Sequence, residues 1–293
     1  MDRSPRIGVF IMMLAAIGFG GGDIGVKVLG ENLSPWQITA GRGFLGLVII
    51  LALSRFNIGH FMIKQWPCQM LLGLTGALGY ACFVFSLKWL PLSIAMPLGY
   101  VYPAMGALLS PFINREKPGR ADWIAIGLAL AAVICLSRGT TPEPGASLVM
   151  GFVIGLIGAF FIAVMTNLAR RQTQTILLNV NLFYLFLGNF VLGLPLSLAL
   201  DSVLIPPAVD LAKLFCCIAP ASITGFWLMF IGYRHISAHR GGIVLTLEAV
   251  ITSLYGLVFL GEPLTLWAVL GLALILLSGV IIIRSSAVSA VRV

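Results

Sequence analysis

Ten stretches of about twenty apolar residues follow one another along this chain with short gaps between them, and nothing else in the sequence restricts its fold as severely. They lie near residues 7–29, 35–54, 67–88, 92–112, 121–138, 148–169, 175–200, 211–234, 241–260 and 264–283. A helix needs about 20 apolar residues to cross the hydrocarbon core of a bilayer. Inside that core each backbone N–H and C=O must find its partner within the segment, so such runs take the form of helices. Of the 293 residues, 59% are hydrophobic and only 10% charged, against about 25% charged in ordinary soluble domains. A soluble fold could not hide that much apolar surface. The expected class is an all-α integral membrane protein with ten transmembrane helices.

The gaps hold the punctuation, including Ser34-Pro35, Leu90-Pro91, Lys117-Pro118-Gly119, Pro142-Glu143-Pro144-Gly145, Pro206-Pro207 and Glu262-Pro263. None is long enough for a soluble domain. The basic start, Met1 to Arg6, resembles a secretory signal, but the apolar run to Leu29 is too long for a signal core. It reads as a retained first helix.

Charge sets an expected orientation. With the N-terminus inside, inner segments hold thirteen basic residues: Arg3, Arg6, Arg55, Lys64, Arg115, Lys117, Arg120, Arg170, Arg171, Arg234, Arg240, Arg284 and Arg292. Outer ends hold Lys27, Lys88, Arg138 and Lys213, and Arg42 lies within a span, which accounts for all eighteen. Cytoplasmic loops of membrane proteins carry the Lys/Arg excess, so both termini are expected in the cytoplasm. The net charge of +8 is spread among these gaps and forms no nucleic-acid patch. The five cysteines, Cys68, Cys82, Cys135, Cys216 and Cys217, show no metal-ligand spacing and read as small core residues.

The chain also compares well with itself at a shift of about 145 residues. Asp122-Trp123-Ile124-Ala125-Ile126-Gly127-Leu128-Ala129-Leu130 lines up with Leu266-Trp267-Ala268-Val269-Leu270-Gly271-Leu272-Ala273-Leu274. Arg115-Glu116-Lys117-Pro118 answers Gly261-Glu262-Pro263, and Gly79-Tyr80 and Lys88 answer Gly225-Phe226 and Arg234. Five spans per half reverse the direction of the second half. The expected organisation is two inverted five-helix repeats, residues 1–140 and 141–293, an architecture that secondary transporters use to alternate access around a midplane site.

At this point the residues resemble a known family. Gly18-Phe19-Gly20 with Lys27-Val28-Leu29, then Pro35 and Arg42, resembles the opening of the EamA-type drug/metabolite transporters. The Glu-Pro turns before the fifth and tenth helices, each followed by Trp and a Gly-rich span, resemble that family's repeat signature. The first repeat departs from it, with Glu116-Lys117-Pro118 in place of adjacent Glu-Pro. The resemblance covers essentially the whole chain. It implies ten helices in two inverted repeats and, from the Tyr-rich third and fourth helices, kinship with the bacterial aromatic and neutral amino-acid exporters of the inner membrane.

Charges within spans cost about 2.5–3.5 kcal/mol on insertion scales, so each demands a reason. Asp23 is about 24 Å above the inner start of its helix, and Arg42 about 10 Å below the outer start of the next, so both fall in the outer half. They are expected to form an ion pair or gate, with Lys27, four residues after Asp23, as competitor. Glu248 has no basic neighbour within one turn. It reads as a hydrogen-bonded structural group, a contact for a substrate ammonium, or a coupling proton site. Tyr80 and Tyr100, with Phe160 and Trp227 in the second half, suit a cavity for a zwitterion with a variable side chain, although each ring taken alone fits ordinary packing equally well. Gly20, in the glycine-rich stretch of the first helix, is placed at the same cavity, as are Asp23 and Glu248. Pro97 and Pro103 are expected to kink the fourth helix. His60, His235 and His239 read as solvated groups at helix ends.

The leading functional expectation is therefore a secondary transporter exporting amino acids or related small metabolites by alternating access, as a monomer or weak dimer in the lipid bilayer. The alternative is a multidrug or nucleotide-sugar/sugar-phosphate carrier of the same fold. A sugar phosphate would call for several convergent basic groups, and only Arg42 lies clearly within a span. No HExxH, GxSxG or paired-Asp constellation supports an enzyme. No cofactor or metal is expected.

Overall fold

The computed structural model describes residues 5–29, 32–86, 89, 98–138, 148–201, 206–252 and 265–291, and among these there is no strand. The helices are α1 (Pro5–Leu29), α2 (Pro35–Leu53), α3 (Trp66–Ser86), α4 (Tyr102–Ile113), α5 (Arg120–Arg138), α6 (Leu148–Gln172) and α7 (Leu178–Leu200). They continue with α8 (Ala208–Lys213), α9 (Ala219–Gly232), α10 (Ala238–Leu245) and α11 (Leu266–Val291). A π-helical turn, Leu214–Ile218, joins α8 to α9.

Six segments of the described residues are long and apolar enough to cross a membrane: Pro5–Val26, Pro35–Leu53, Trp66–Ser86, Val149–Gln172, Leu178–Leu200 and Ala208–Gly232. The fourth and ninth expected spans run partly through residues 90–97 and 253–260, which lie outside the described residues. The Pro142–Gly145 and Glu262-Pro263 turns lie outside them too. Large side chains such as Phe10, Phe112 and Val149 face outward, Phe112 with 84% of its surface exposed. Water would not tolerate such a surface at this density, whereas lipid does.

Local chemistry starts the second helix cleanly. The Ser34 hydroxyl accepts from the Gln37 N–H at 3.1 Å, and the Gln37 side chain accepts from the Ser34 N–H at 2.9 Å. This reciprocal cap satisfies two orphan donors, and Pro35 follows at the position where its missing N–H costs nothing. The Ser34 hydroxyl also donates to Asp201 at the end of α7, 2.5 Å away.

The bundle is held by α2 against α7, α3 against α6, α1 against α9, and α5 against α11. Two further contacts, α4 with α6 and α10 with α1, complete the ring around the centre. Lipid offers no hydrophobic drive for association, so close backbone approach does the work. At the α3–α7 crossing, a Cβ on Gly73 would fall 2.1 Å from the Tyr184 carbonyl, and one on Gly188 would strike the Gly73 backbone. At the α1–α9 crossing, a Cβ on Gly18 would meet the Gly225 nitrogen at 2.9 Å. Only glycine fits at these points.

Two segments break near the centre. Residues 98–99 are helical, Tyr100 and Val101 form a turn, and α4 begins at Tyr102. Likewise α10 ends at Leu245, Thr246 forms a turn, and helix resumes over residues 247–252. Pro103 sits in the first turn of α4, directly after the turn at Tyr100 and Val101 that interrupts the fourth expected span. Pro97 lies outside the described residues. The cysteines also depart from expectation. Cys216 and Cys217, in the π-helical turn, are exposed, and the other three are half-buried.

Candidate functional site

The breaks in the fourth and ninth segments open onto a central cavity of about 150 Å³. Its charged and phenolic lining comes from six residues: Asp23 on α1, Arg42 on α2, Tyr80 on α3, Tyr100 and Tyr102 at the first break, and Glu248 just past the second. Phe19, Phe83, Ile162, Met165, Phe226 and Met229 supply apolar wall, and Thr166 and Ser222 add two hydroxyls.

Among the described residues, Arg42 is the single basic side chain in this lining. It is 6% exposed, and its guanidinium carbon lies 3.8 Å from the centre of the Tyr80 ring and 5.9 Å from that of Phe226. A guanidinium over an aromatic face is held by the ring quadrupole. The Arg42 Nε has no hydrogen-bond partner among the described residues. No ion pair joins Arg42 to Asp23 among the described residues, although the two charges feel one another across the cavity. The Asp23 carboxyl instead lines the cavity together with that of Glu248. The expected Asp23–Arg42 pair is therefore replaced by two acids on one wall and a cation over a ring on the other. The reason is helix rotation: Gly20, one turn before Asp23, packs on Ile251 with the Glu248 Cγ 3.9 Å from its Cβ position, so this face of α1 meets the ninth segment. Tyr102 is fixed by donating to the Gly242 carbonyl at 3.3 Å.

Several expected lining residues lie elsewhere. Phe160 is 45% exposed and stands on the outer face of α6. The cavity face carries Ile162, Met165 and Thr166, spaced three and four apart, and Phe160 is about 200° round from Ile162. Trp227 packs into the main core, and its neighbour Phe226 lines the cavity, with its ring edge 4.9 Å from that of Phe19. Gly20 is a packing position and no part of the lining. The Lys27 side chain lies outside the described residues. Phe226 could have been found from sequence, because Gly225-Phe226 repeats Gly79-Tyr80.

The lining repeats more widely. Gly76, Tyr80, Phe83, Gly99, Tyr102 and Phe19 recur 146 residues later as Ser222, Phe226, Met229, Leu245, Glu248 and Met165, and all twelve line the cavity. The charges break the pattern: Asp23 answers Ala169, Arg42 answers Gly188, and Glu248 answers Tyr102.

A second polar cluster lies at one end of the bundle. Asp122 accepts from the Gly119 N–H at 2.8 Å and from Arg240 Nε at 2.9 Å, and lies 3.2 Å from His239 Nε2. Arg170 Nε donates to Glu116 at 2.9 Å, and another of its nitrogens donates to the Tyr233 carbonyl. His239, expected to be solvated, is 3% exposed. At the opposite end Ser34 donates to Asp201, and Asp210 accepts from Asn32 and pairs with Lys213 at 3.0 Å.

Comparison with known proteins places this arrangement. The EamA-like transporter family matches residues 6–138 and 149–284. The chain is 25% identical to the pseudopaline exporter CntI of Pseudomonas aeruginosa over 95% of its own length and 94% of that protein's. It is 24% identical to an uncharacterized transporter of Helicobacter pylori, covering 96% of each, and 26% identical to one of Archaeoglobus fulgidus, covering 96% and 97%. A crystal structure with 20% sequence identity superposes with a TM-score of 0.78 over 96% of this chain and 98% of the other. That likeness carries the fold.

Proposed function

The chain belongs to the EamA-like transporter family, a multi-pass membrane family, and from that premise we propose that it exports amino acids or related small metabolites by alternating access. In this reading ten helices form two inverted halves, residues 1–140 and 141–293, in a bacterial inner membrane with both termini in the cytoplasm. Support for the halves comes from the packing. Exchanging spans five apart, with α8 and α9 together as the eighth and α10 in the ninth, turns the α1–α9 contact into α6–α3 and the α10–α1 contact into α4–α6. The twelve lining positions related by 146 residues obey the same exchange. Two similar halves can swap conformations, giving inward-open and outward-open states of nearly equal energy.

One observation carries the substrate class: the cavity holds a guanidinium on one wall and two carboxyls on another, within an aromatic ring. A carboxylate suits the planar fork of Arg42, an ammonium suits the acidic pair, and the rings accept a variable side chain. An apolar cavity of about 150 Å³ in another protein admits benzene, so the space here suits a small molecule. A sugar nucleotide would need more room and more than one basic group. The polar cluster of Asp122, His239 and Arg240 serves as the closed gate of the cytoplasmic face, and Asp23 and Arg42 act within the site. Flux of the twenty radiolabelled amino acids into vesicles of reconstituted protein tests the reading. Saturable flux of at least one is expected, and none for any would sink it.

A further inference from the structure

Taken as the closed gate of the proposed transport cycle, on which this inference rests, the Asp122 cluster has no counterpart in the repeat. Its ion contacts all join the first half to the second. Asp122 accepts from Arg240 Nε at 2.9 Å and lies 3.2 Å from His239 Nε2, and Glu116 accepts from Arg170 Nε at 2.9 Å. Arg170 also donates to the Tyr233 carbonyl, and Gln174 donates to the same oxygen at 3.1 Å. The segments before α5, at the end of α6 and after α9 are thereby tied together. Closing this gate is favourable. Asp122 finds three partners in the Gly119 N–H, Arg240 and His239, while the Arg240 side chain stays 23% exposed and keeps part of its hydration.

When inverted halves exchange conformations, each contact at one end passes to the repeat-related residues at the other. Here the exchange cannot reproduce the cluster. Asp122 is answered by Leu266, Arg240 by Ile94, His239 by Ser93 and Arg170 by Ile24. Glu116 alone keeps its type, as Glu262. Leucine, isoleucine and serine form no ion pair in any geometry. At the opposite end Lys213 pairs with Asp210 on its own helix, and Arg138 stands over the Trp267 ring, 5.2 Å from its centre. Neither is an ion pair between the halves.

We infer that the cluster biases the carrier toward the state closed at the Asp122 end, and that separating Asp122 from Arg240 is the step that opens the cavity there. Opening parts a buried acid from its base, and closure of the opposite end returns no equivalent pair. The two states therefore differ in energy by the latch that one of them lacks.

Two reporters at opposite ends of the cavity test this without cargo. Thr166 lies one turn before Arg170 on α6 and lines the cavity. Phe83 lines it at the far end: α3 starts beside the cluster, where Cys68 accepts from Gln172, and Phe83 is about 22 Å further along. Thr166→Cys and Phe83→Cys proteins in nanodiscs are exposed to a bulky charged maleimide, and uptake at each position is read by peptide mass spectrometry. Adding Asp122→Asn is expected to raise uptake at position 166 roughly 5–10-fold and to lower it at position 83, since one state gains what the other loses. A rise at both positions is general loosening and would overturn the inference, as would no change at either. Lys27, three residues past Ile24, is the base placed nearest a replacement latch at the other end. Lys27→Gln is expected to leave both reporters unmoved, and an equal shift in the reverse direction would overturn the bias. Should Asp122→Asn fail to fold, Glu116→Gln in the same cluster is expected to move both reporters in the same directions by a smaller factor. Unmoved reporters in that variant would overturn the inference too. No readout here involves flux, so the amino-acid panel judges the transport reading separately.

Discussion

Asp122 and the Asp23–Glu248 pair are both acids within a largely apolar protein, and their surroundings could hardly differ more. Asp122 is 2% exposed and is met by a backbone N–H, a guanidinium and an imidazole. Its lone pairs are spoken for, and its role is to hold α5 to α10. Asp23 and Glu248 line one cavity with Arg42, whose guanidinium rests on an aromatic ring. A fully partnered buried charge is a fastener, whereas carboxyls that share a cavity store electrostatic free energy that an incoming cation can release. Geometry, not residue type, separates the two roles.

The contrast predicts effects of different kinds. The largest is on stability. Asp122→Ala leaves the Arg240 guanidinium and the Gly119 N–H without their acceptor, and removing one partner of a buried pair costs about 3 kcal/mol. Unfolding of the variant in detergent should show that loss, and unchanged stability would break the comparison from the fastener's side. Next comes Glu248→Gln, which removes a charged hydrogen-bond acceptor facing the cargo. With charged hydrogen bonds worth about 1.5–3 kcal/mol, flux should fall roughly 10–100-fold while unfolding barely moves. A large drop in stability would make Glu248 a fastener too.

A smaller effect is expected at Arg42. Arg42→Lys keeps the charge but loses the planar fork and its stacking on Tyr80, so the apparent affinity for a zwitterion should weaken about 10-fold with little change in maximal flux. An unchanged affinity would show that the cargo does not touch this wall. The smallest belongs to Tyr80→Phe, which keeps the ring under the guanidinium. Tyr80→Leu removes the ring and should cost about 1 kcal/mol in stability or binding. A Tyr80→Phe flux as low as that of Tyr80→Leu would move the role from the ring face to the hydroxyl.

Much of the fold was legible because the relevant signals are local. The ends of α2, expected at 35 and 54, fall at Pro35 and Leu53, since Ser34, Pro35 and Gln37 write the cap into four consecutive positions. The end of α11 was read less well: it runs to Val291 although hydropathy placed the end of the last expected span near 283, because a helix continues past the apolar stretch wherever its residues tolerate the form. Within the site, Asp23, Arg42, Tyr80, Tyr100 and Glu248 stood out because polar groups in apolar runs are conspicuous, and all five line the cavity. Phe160 and Trp227 were misplaced because an aromatic ring inside a hydrophobic span carries no such mark. The repeat offered a better guide, pointing from Tyr80 to Phe226.

What the sequence determined by itself was the solvent and the class of fold. Hydrophobic run length and the spacing of basic residues report on lipid and water residue by residue, without reference to any partner helix. The tertiary structure decided the rotation of each helix about its axis, and with it which group meets which. A span that is apolar on every side sits equally well in lipid at any rotation, so sequence periodicity leaves that angle open. Close glycine crossings such as Gly18 on Gly225 and Gly73 on Gly188 settle it. They turn Asp23 and Glu248 into one cavity and leave Arg42 over Tyr80, so the charges of the cavity are arranged by backbone contacts elsewhere on the same helices.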